Sequence, residues 1–171
     1  MHNLTVAFAV LLVMLLSYFF GCFNGSFMVS HFIIRDDVRK HGSGNAGLTN
    51  AYRTRGAKKT LVVLLGDIAK GAAAVSVGWA LGGPVGKLTA GIFVILGHMF
   101  PLYFGFKGGK GVLVGAVMLA FFDWRVFAIA FALFILSVVL TKWISLGSIL
   151  GAVSIPIMTW LFYRDPALMA M

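Results

Sequence analysis

The sequence contains no glutamate. Its only acidic side chains are five aspartates, against 14 lysines and arginines, for a formal net charge of +9. No two carboxylates stand as an acid–base pair at a shared site, which excludes glycosidase-type chemistry. There is one cysteine, Cys22, so an intramolecular disulfide and a thiolate metal cluster are both excluded. It sits in an apolar run and reads as a packing residue. No Gly-x-Ser-x-Gly elbow is present, and no His/Cys set has metal-ligand spacing. No metal and no cofactor are expected, so any chemistry rests on positioning and positive charge. No basic segment precedes the first apolar run, so Leu4–Phe20 reads as a retained span rather than a cleaved signal.

What is present is mostly hydrocarbon. Hydrophobic residues make up 60% of the 171, aromatics 14% and charged residues 11%, with mean hydropathy +0.98. A soluble domain of this length could not cover so much apolar surface. The chain reads as an all-α polytopic membrane protein, a single integral membrane domain over residues 1–171. In a soluble protein the basic excess would suggest nucleic acid. In a membrane protein it suits cytoplasmic loops and anionic headgroups, so membrane lipids are the expected partner and nucleic acid is not. It also suits a site for phosphate-like anions.

Apolar runs mark the spans. They are Leu4–Phe20, which Gly25–Ile34 continues, then Thr60–Leu81, Leu88–Phe106, Val112–Phe122, Val126–Leu140 and Ile144–Tyr163. A crossing takes about 20 residues at roughly 1.5 Å each. The first stretch is long enough to break around Phe23-Asn24-Gly25-Ser26. Val112–Phe122 has to borrow flanking residues, tilt or break. Five to seven transmembrane helices are expected. Seven basic residues (Arg35, Arg39, Lys40, Arg53, Arg55, Lys58 and Lys59) lie between the first and second runs, which puts that loop in the cytoplasm. The cytoplasmic loops are then about residues 35–59, 107–111 and 141–145, and the N-terminus is extracytoplasmic.

This topology gathers the unusual polar residues at one depth. Lys40–Gly56, KHGSGNAGLTNAYRTRG, has no carboxylate. Its Gly42 and Gly44 let backbone N–H groups approach an anion. Ser43, Asn45, Thr49 and Asn50 add neutral donors, and Arg53 adds a planar fork. Asp67 and Lys70, three apart, share a helix face within a span, as a structural ion pair or a functional one. His98 can donate to a phosphate or move a proton. Gly97–Gly111, GHMFPLYFGFKGGKG, adds aromatics suited to an acyl chain, and Lys107 and Lys110 flank Gly108 and Gly109. That run is not a Walker A loop, because Gly111 stands where Ser/Thr would hold magnesium. Ser145 and Ser148 open the last span. His31 and Asp36 have the His-x4-Asp spacing of another acyltransferase type, but a continued helix would hold them about 140° apart, so that match is set aside. The residues alone leave open a small transporter or channel with a basic cytoplasmic anion-binding vestibule.

Three blocks together are similar to one family, the bacterial membrane glycerol-3-phosphate acyltransferases that use acyl phosphate as donor. They are D-x-R-x-x-GSGN-x-G-x-TN-x-x-R-x-x-G at Asp37–Gly56, then D-x-x-KG at Asp67–Gly71 with GH-x-FP-x4-FKGGKG at Gly97–Gly111, and SLGS at Ser145–Ser148. Two features depart from the pattern. Gly25-Ser26-Phe27-Met28 lacks the proline of the usual G-S-x-P. The family's C-terminal cytoplasmic segment, which carries an active-site Asn, is not found before Met171. The resemblance implies seven helices, a cytoplasmic-facing site in a bacterial inner membrane, and transfer of an acyl group from acyl phosphate to sn-glycerol 3-phosphate. It implies catalytic roles for His98, Lys107 and Ser43. Phosphate binding falls to Gly42, Gly44, Asn45, Thr49, Asn50, Arg53, Gly108, Gly109 and Lys110, with support from Asp67, Lys70, Ser145 and Ser148. With no protein base apparent, a substrate phosphate is expected to take the glycerol hydroxyl proton.

Overall fold

The computed structural model describes residues 2–164, and among these every regular element is helical. The chain end at Met171, where the resemblance calls for a further segment, lies outside the described residues. Contacts divide the chain into two units, Met1–Met118 and Leu119–Met171.

The first unit begins with α1, His2–Cys22. The chain then breaks at Phe23-Asn24, within the stretch expected to interrupt the first span. Asn24 starts α2, Gly25–Met28, by accepting the Phe27 N–H at 3.1 Å. A π-helical turn, Val29–Ile33, continues it, and the stretch Gly25–Ile33 is bent by 42° from α1. The basic segment that follows is only partly loop. A 3-10 turn at Val38–Lys40 leads to α3, Leu48–Arg55, which docks through Ala51 onto Val29 and Val63.

The helix α4, Ala57–Met99, holds the second apolar run and the third as far as Met99; Pro101 ends it, so the rest of the expected run, to Phe106, lies outside the helix. Gly83, at φ 57 and ψ −141, precedes Pro84 and reverses the chain. The turn expected over Gly82–Lys87 is compressed to this pair. A Cβ on Gly78 would lie 2.5 Å from both Ala90 Cβ and the Gly86 carbonyl. A straight helix would hold residues 78 and 86 about 12 Å apart, so the two arms form a hairpin. The returning arm packs against α1 backbone to backbone, where Gly21 faces Gly97. Nearby, Tyr18 Oη donates to the Phe100 carbonyl at 2.8 Å. Ala74, Val75 and Val94 of the hairpin form a core with Val114 and Met118 of α5, Val112–Phe122. This helix borrows nothing from its flanks. Its 11 residues rise about 16 Å, roughly half a bilayer's hydrocarbon.

The second unit is an antiparallel pair, α6 (Trp124–Thr141) and α7 (Ile144–Phe162). Lys142, left-handed at φ 63, makes the turn. Gly147 packs on Phe134 and Gly151 on Ala130. At the open end Asp123 caps α6 and accepts the Tyr163 hydroxyl at 2.5 Å, with Arg125 bonded to both. Arg125, then the tyrosine hydroxyl, hold the Asp123 carboxyl well below the usual carboxylate range.

Among the described residues, three helical stretches are long and apolar enough to cross a membrane: within Ala57–Phe104, Trp124–Thr141 and Ile144–Phe162. The bent α1–α2 pair makes a fourth if counted as one span.

Candidate functional site

In the first unit, the chain folds back on itself after α4. Pro101 leads into a 3-10 turn at Leu102–Phe104, and Gly105 reverses direction at φ 66. The returning strand of chain lies on the end of α4. The Gly108 N–H donates to the Met99 carbonyl at 3.0 Å and the Gly109 N–H to the His98 carbonyl at 3.1 Å. A Cβ at Gly108 would run into the His98 carbonyl, and one at Gly109 into His98 Nε2. The two glycines are therefore required by close packing, and their N–H groups are taken up as helix caps.

The GSGN segment is held from within. Asn50 is 2% exposed. Its Oδ1 accepts the Ser43 N–H at 3.0 Å, and its Nδ2 donates to the carbonyls of Val38 (3.2 Å) and His41 (3.0 Å). Both ends of the Asn50 amide are thus committed to shaping the turn. Gly42 and Gly44 have φ of 59 and 71, and a Cβ at Gly42 would strike Asn50 Oδ1. Ser43, Thr49 and Arg53 are exposed, and Asn45 is half-buried.

Arg39 joins the two segments. It forms an ion pair with Asp37 at 2.8 Å, and its Nη1 donates to the carbonyls of Phe104 (2.6 Å) and Lys107 (3.4 Å). Its guanidinium also lies 4.7 Å from the Phe27 ring centroid. Hydrogen bonding by Arg39 holds the Asp37 carboxyl below its ordinary range, as Arg55 does for Asp36. Sequence reading did not single out Arg39 as a site residue. The available signal was the Asp-x-Arg just before GSGN in a chain so poor in acids. Asp36 pairs with Arg55 (2.6 Å) and His41 (2.7 Å), while His31 stacks on Phe27.

Between the segments is an open cleft of about 680 Å³. Lys40, Lys107 and Arg39, the last paired with Asp37 that also lines it, give it a net cationic side, and Phe27, Tyr103 and Phe104 an aromatic one. Gly44 and Gly108 also line it. Of the expected site residues, Gly44, Lys107 and Gly108 meet here. Lys110 is exposed on the same returning segment. His98 is 4% exposed and packs under Gly109. Asp67 and Lys70 form an ion pair at 2.8 Å, with Lys70 Nζ 2.8 Å from His98 Nδ1. Ser145 and Ser148 belong to the second unit, and Ser148 Oγ donates to the Ile144 carbonyl at 3.0 Å. Among the described residues no group of three His, Cys, Asp or Glu side chains comes together as metal ligands.

Such a cleft offers cations to an anion and aromatic surface to a chain of methylenes. Arg39→Ala should loosen it. The loss of hydrogen bonds from a charged group is expected to cost about 2–3 kcal/mol locally. Hydrogen exchange at Phe104–Lys107 should then be faster than in the parent, and equal exchange would show that Arg39 does not hold this segment.

Comparison with known proteins gives concordant matches. A family model described as glycerol-3-phosphate acyltransferase matches residues 11–171. The glycerol-3-phosphate acyltransferase of Bacillus velezensis is 38% identical over 160 residues, 94% of this chain and 82% of the relative. That of Bacillus subtilis is 38% identical over 144 residues, covering 84% and 75%. A crystal structure of PlsY (YgiH), an integral membrane glycerol 3-phosphate acyltransferase in its glycerol 3-phosphate form, superposes with a TM-score of 0.82 at 27% identity, covering 93% of this chain and 80% of that one. Its lysophosphatidic acid form gives 0.79 at 26% identity, covering 90% and 77%.

Proposed function

The chain belongs to the glycerol-3-phosphate acyltransferase family, and from this premise we propose how its cleft carries out the reaction. It is an integral membrane acyltransferase that acylates glycerol 3-phosphate. The donor is an acyl phosphate, and the site faces the cytoplasm of a bacterial inner membrane within a seven-helix domain whose N-terminus is outside. Seven basic residues in the Arg35–Lys59 segment support that orientation.

The observation that carries the reading is the joining of cations and aromatics in one cleft, between two segments far apart in sequence. Phosphate oxygens are held by side chains: Ser43, Asn45, Thr49 and Arg53 from one segment, Lys107 and Lys110 from the other. Lys40 joins them. Asn50, Gly42, Gly44, Gly108 and Gly109 shape the cradle, since the Asn50 amide and the Gly108 and Gly109 N–H groups are already engaged. The acyl chain lies along Phe27, Tyr103 and Phe104. The glycerol hydroxyl attacks the acyl carbonyl carbon, a new C–O ester bond forms, and the acyl C–O bond to phosphate breaks. A phosphate oxygen takes the hydroxyl proton, and the cations hold the charge that develops on the leaving phosphate.

Purified protein in lipid should release phosphate from palmitoyl phosphate only when glycerol 3-phosphate is added. Lys107→Ala should lower that release by about 10²-fold or more, the scale of losing one preorganised charge contact. Glycerol 3-phosphate flux into liposomes without phosphate release would replace this reading with a transporter.

A further inference from the structure

Beneath the cleft, a buried group of three charged or titratable side chains does more than join two helices. Lys70 Nζ lies 2.8 Å from Asp67 Oδ1, 2.9 Å from the Phe23 carbonyl, 3.3 Å from the Gly21 carbonyl and 2.8 Å from His98 Nδ1. The two carbonyls are at the C-terminal end of α1, where helix acceptors lack partners of their own. Asp67 Oδ1 also accepts the Gly25 N–H at 3.2 Å. A carboxylate and helix-end carbonyls only accept, and an ammonium only donates. This surrounding matches a charged lysine whose N–H groups all point outward.

We propose that Lys70 is a positioning residue that keeps the proton of His98 off Nδ1 and on Nε2. Facing an ammonium donor, Nδ1 has to present its lone pair. The one proton of the neutral ring is then on Nε2, the atom that packs under Gly109. The Ala46 carbonyl lies 3.0 Å from where a Gly109 Cβ would stand, so Nε2–H sits at the seam between the GSGN and FKGGKG segments. His98 therefore acts as a hydrogen-bond donor there and not as a base. Only this consequence rests on the acyltransferase reading; the proton's location does not.

The test is nitrogen NMR of the full chain in lipid nanodiscs, with labelled histidine. The chain has four histidines, and the His98 signals are those lost in His98→Gln. The parent should show an unprotonated Nδ1 and a protonated Nε2. In Lys70→Met the remaining partner of Nδ1 is Asp67 Oδ1, 3.9 Å away, and an acceptor there calls for a proton on Nδ1. The Nδ1 signal should move to its protonated position. Asp67→Asn keeps the ammonium and should leave Nδ1 unprotonated. A protonated Nδ1 in the parent or in Asp67→Asn overturns the proposal, and so does an unprotonated Nδ1 in folded Lys70→Met. If Lys70→Met does not fold, the other two spectra decide. The phosphate-release assay is separate, so a protein without that activity but with this ring behaviour would lose the reaction and keep the positioning role.

Discussion

Gly97→Ala is expected to yield no stably folded protein. A Cβ there would overlap the Tyr18 carbonyl and lie 2.9 Å from Gly21 Cα and 3.0 Å from Cys22 N. Every one of these atoms is backbone, so no side chain can rotate away. From the other side, a Cβ on Gly21 would stand 2.8 Å from Gly97 Cα and 2.9 Å from His98 N. The two helices have to separate, and that loosens the contacts along α1 and the hairpin together. Small-residue contacts of this kind are what hold helices together in lipid, where no hydrophobic drive between helices exists. A cost of about 4 kcal/mol or more is a large part of a domain's typical stability. Thermal unfolding and size-exclusion in detergent measure it. Gly66→Ala is the control, since a Cβ at Gly66 meets nothing within 4 Å. A Gly97→Ala protein with the parent's melting temperature would show that the two helices do not pack this closely.

Gly108→Ala acts on the reaction instead. The added carbon would meet the His98 carbonyl, with Pro101 Cδ at 2.7 Å and the Met99 carbonyl at 2.9 Å. The returning segment has to lift off α4, breaking the Gly108 and Gly109 caps and pulling Lys107 away from Arg39. A displacement of about 1 Å at a positioning element costs roughly 10²-fold in rate. Phosphate release from palmitoyl phosphate should fall by that factor or more, while the unfolding temperature changes little, because the core of Ala74, Val94 and Val114 is elsewhere. Gly115→Ala, whose Cβ would be 3.7 Å from Ile95 Cδ1, should be silent in both assays. Full activity in Gly108→Ala would remove the returning segment from the site.

Local signals carried most of the helix pattern. Apolar run lengths found α5, α6 and α7 nearly to the residue, and the length of the first stretch called for a break near Phe23-Asn24, where the structure shows Asn24 capping α2. The family was legible too, because GSGN and FKGGKG keep their order and spacing. What the residues do within the cradle was less legible. Glycine type does not reveal whether an N–H is free, and Gly108 and Gly109 turn out to donate to α4. Asn50 looked like a donor for phosphate until its partners at Val38, His41 and Ser43 were known. The Arg39 bond to Phe104 spans 65 positions, beyond any local periodicity.

The Tyr18–Phe100 bond has a bearing on biosynthesis. These residues are 82 positions apart, so α1 completes its packing surface only when the returning arm of α4 is in place. At typical translation speeds that arm follows roughly 4–16 s after α1. Through that interval α1 stands in the bilayer with its glycine face against lipid. Assembly is therefore ordered: the hairpin closes at Gly83-Pro84, and α1, already beside Lys70 of the outgoing arm, is then locked by the half of its surface that comes last. A block at Gly97 would leave α1 waiting indefinitely, a state that membrane quality control is built to remove.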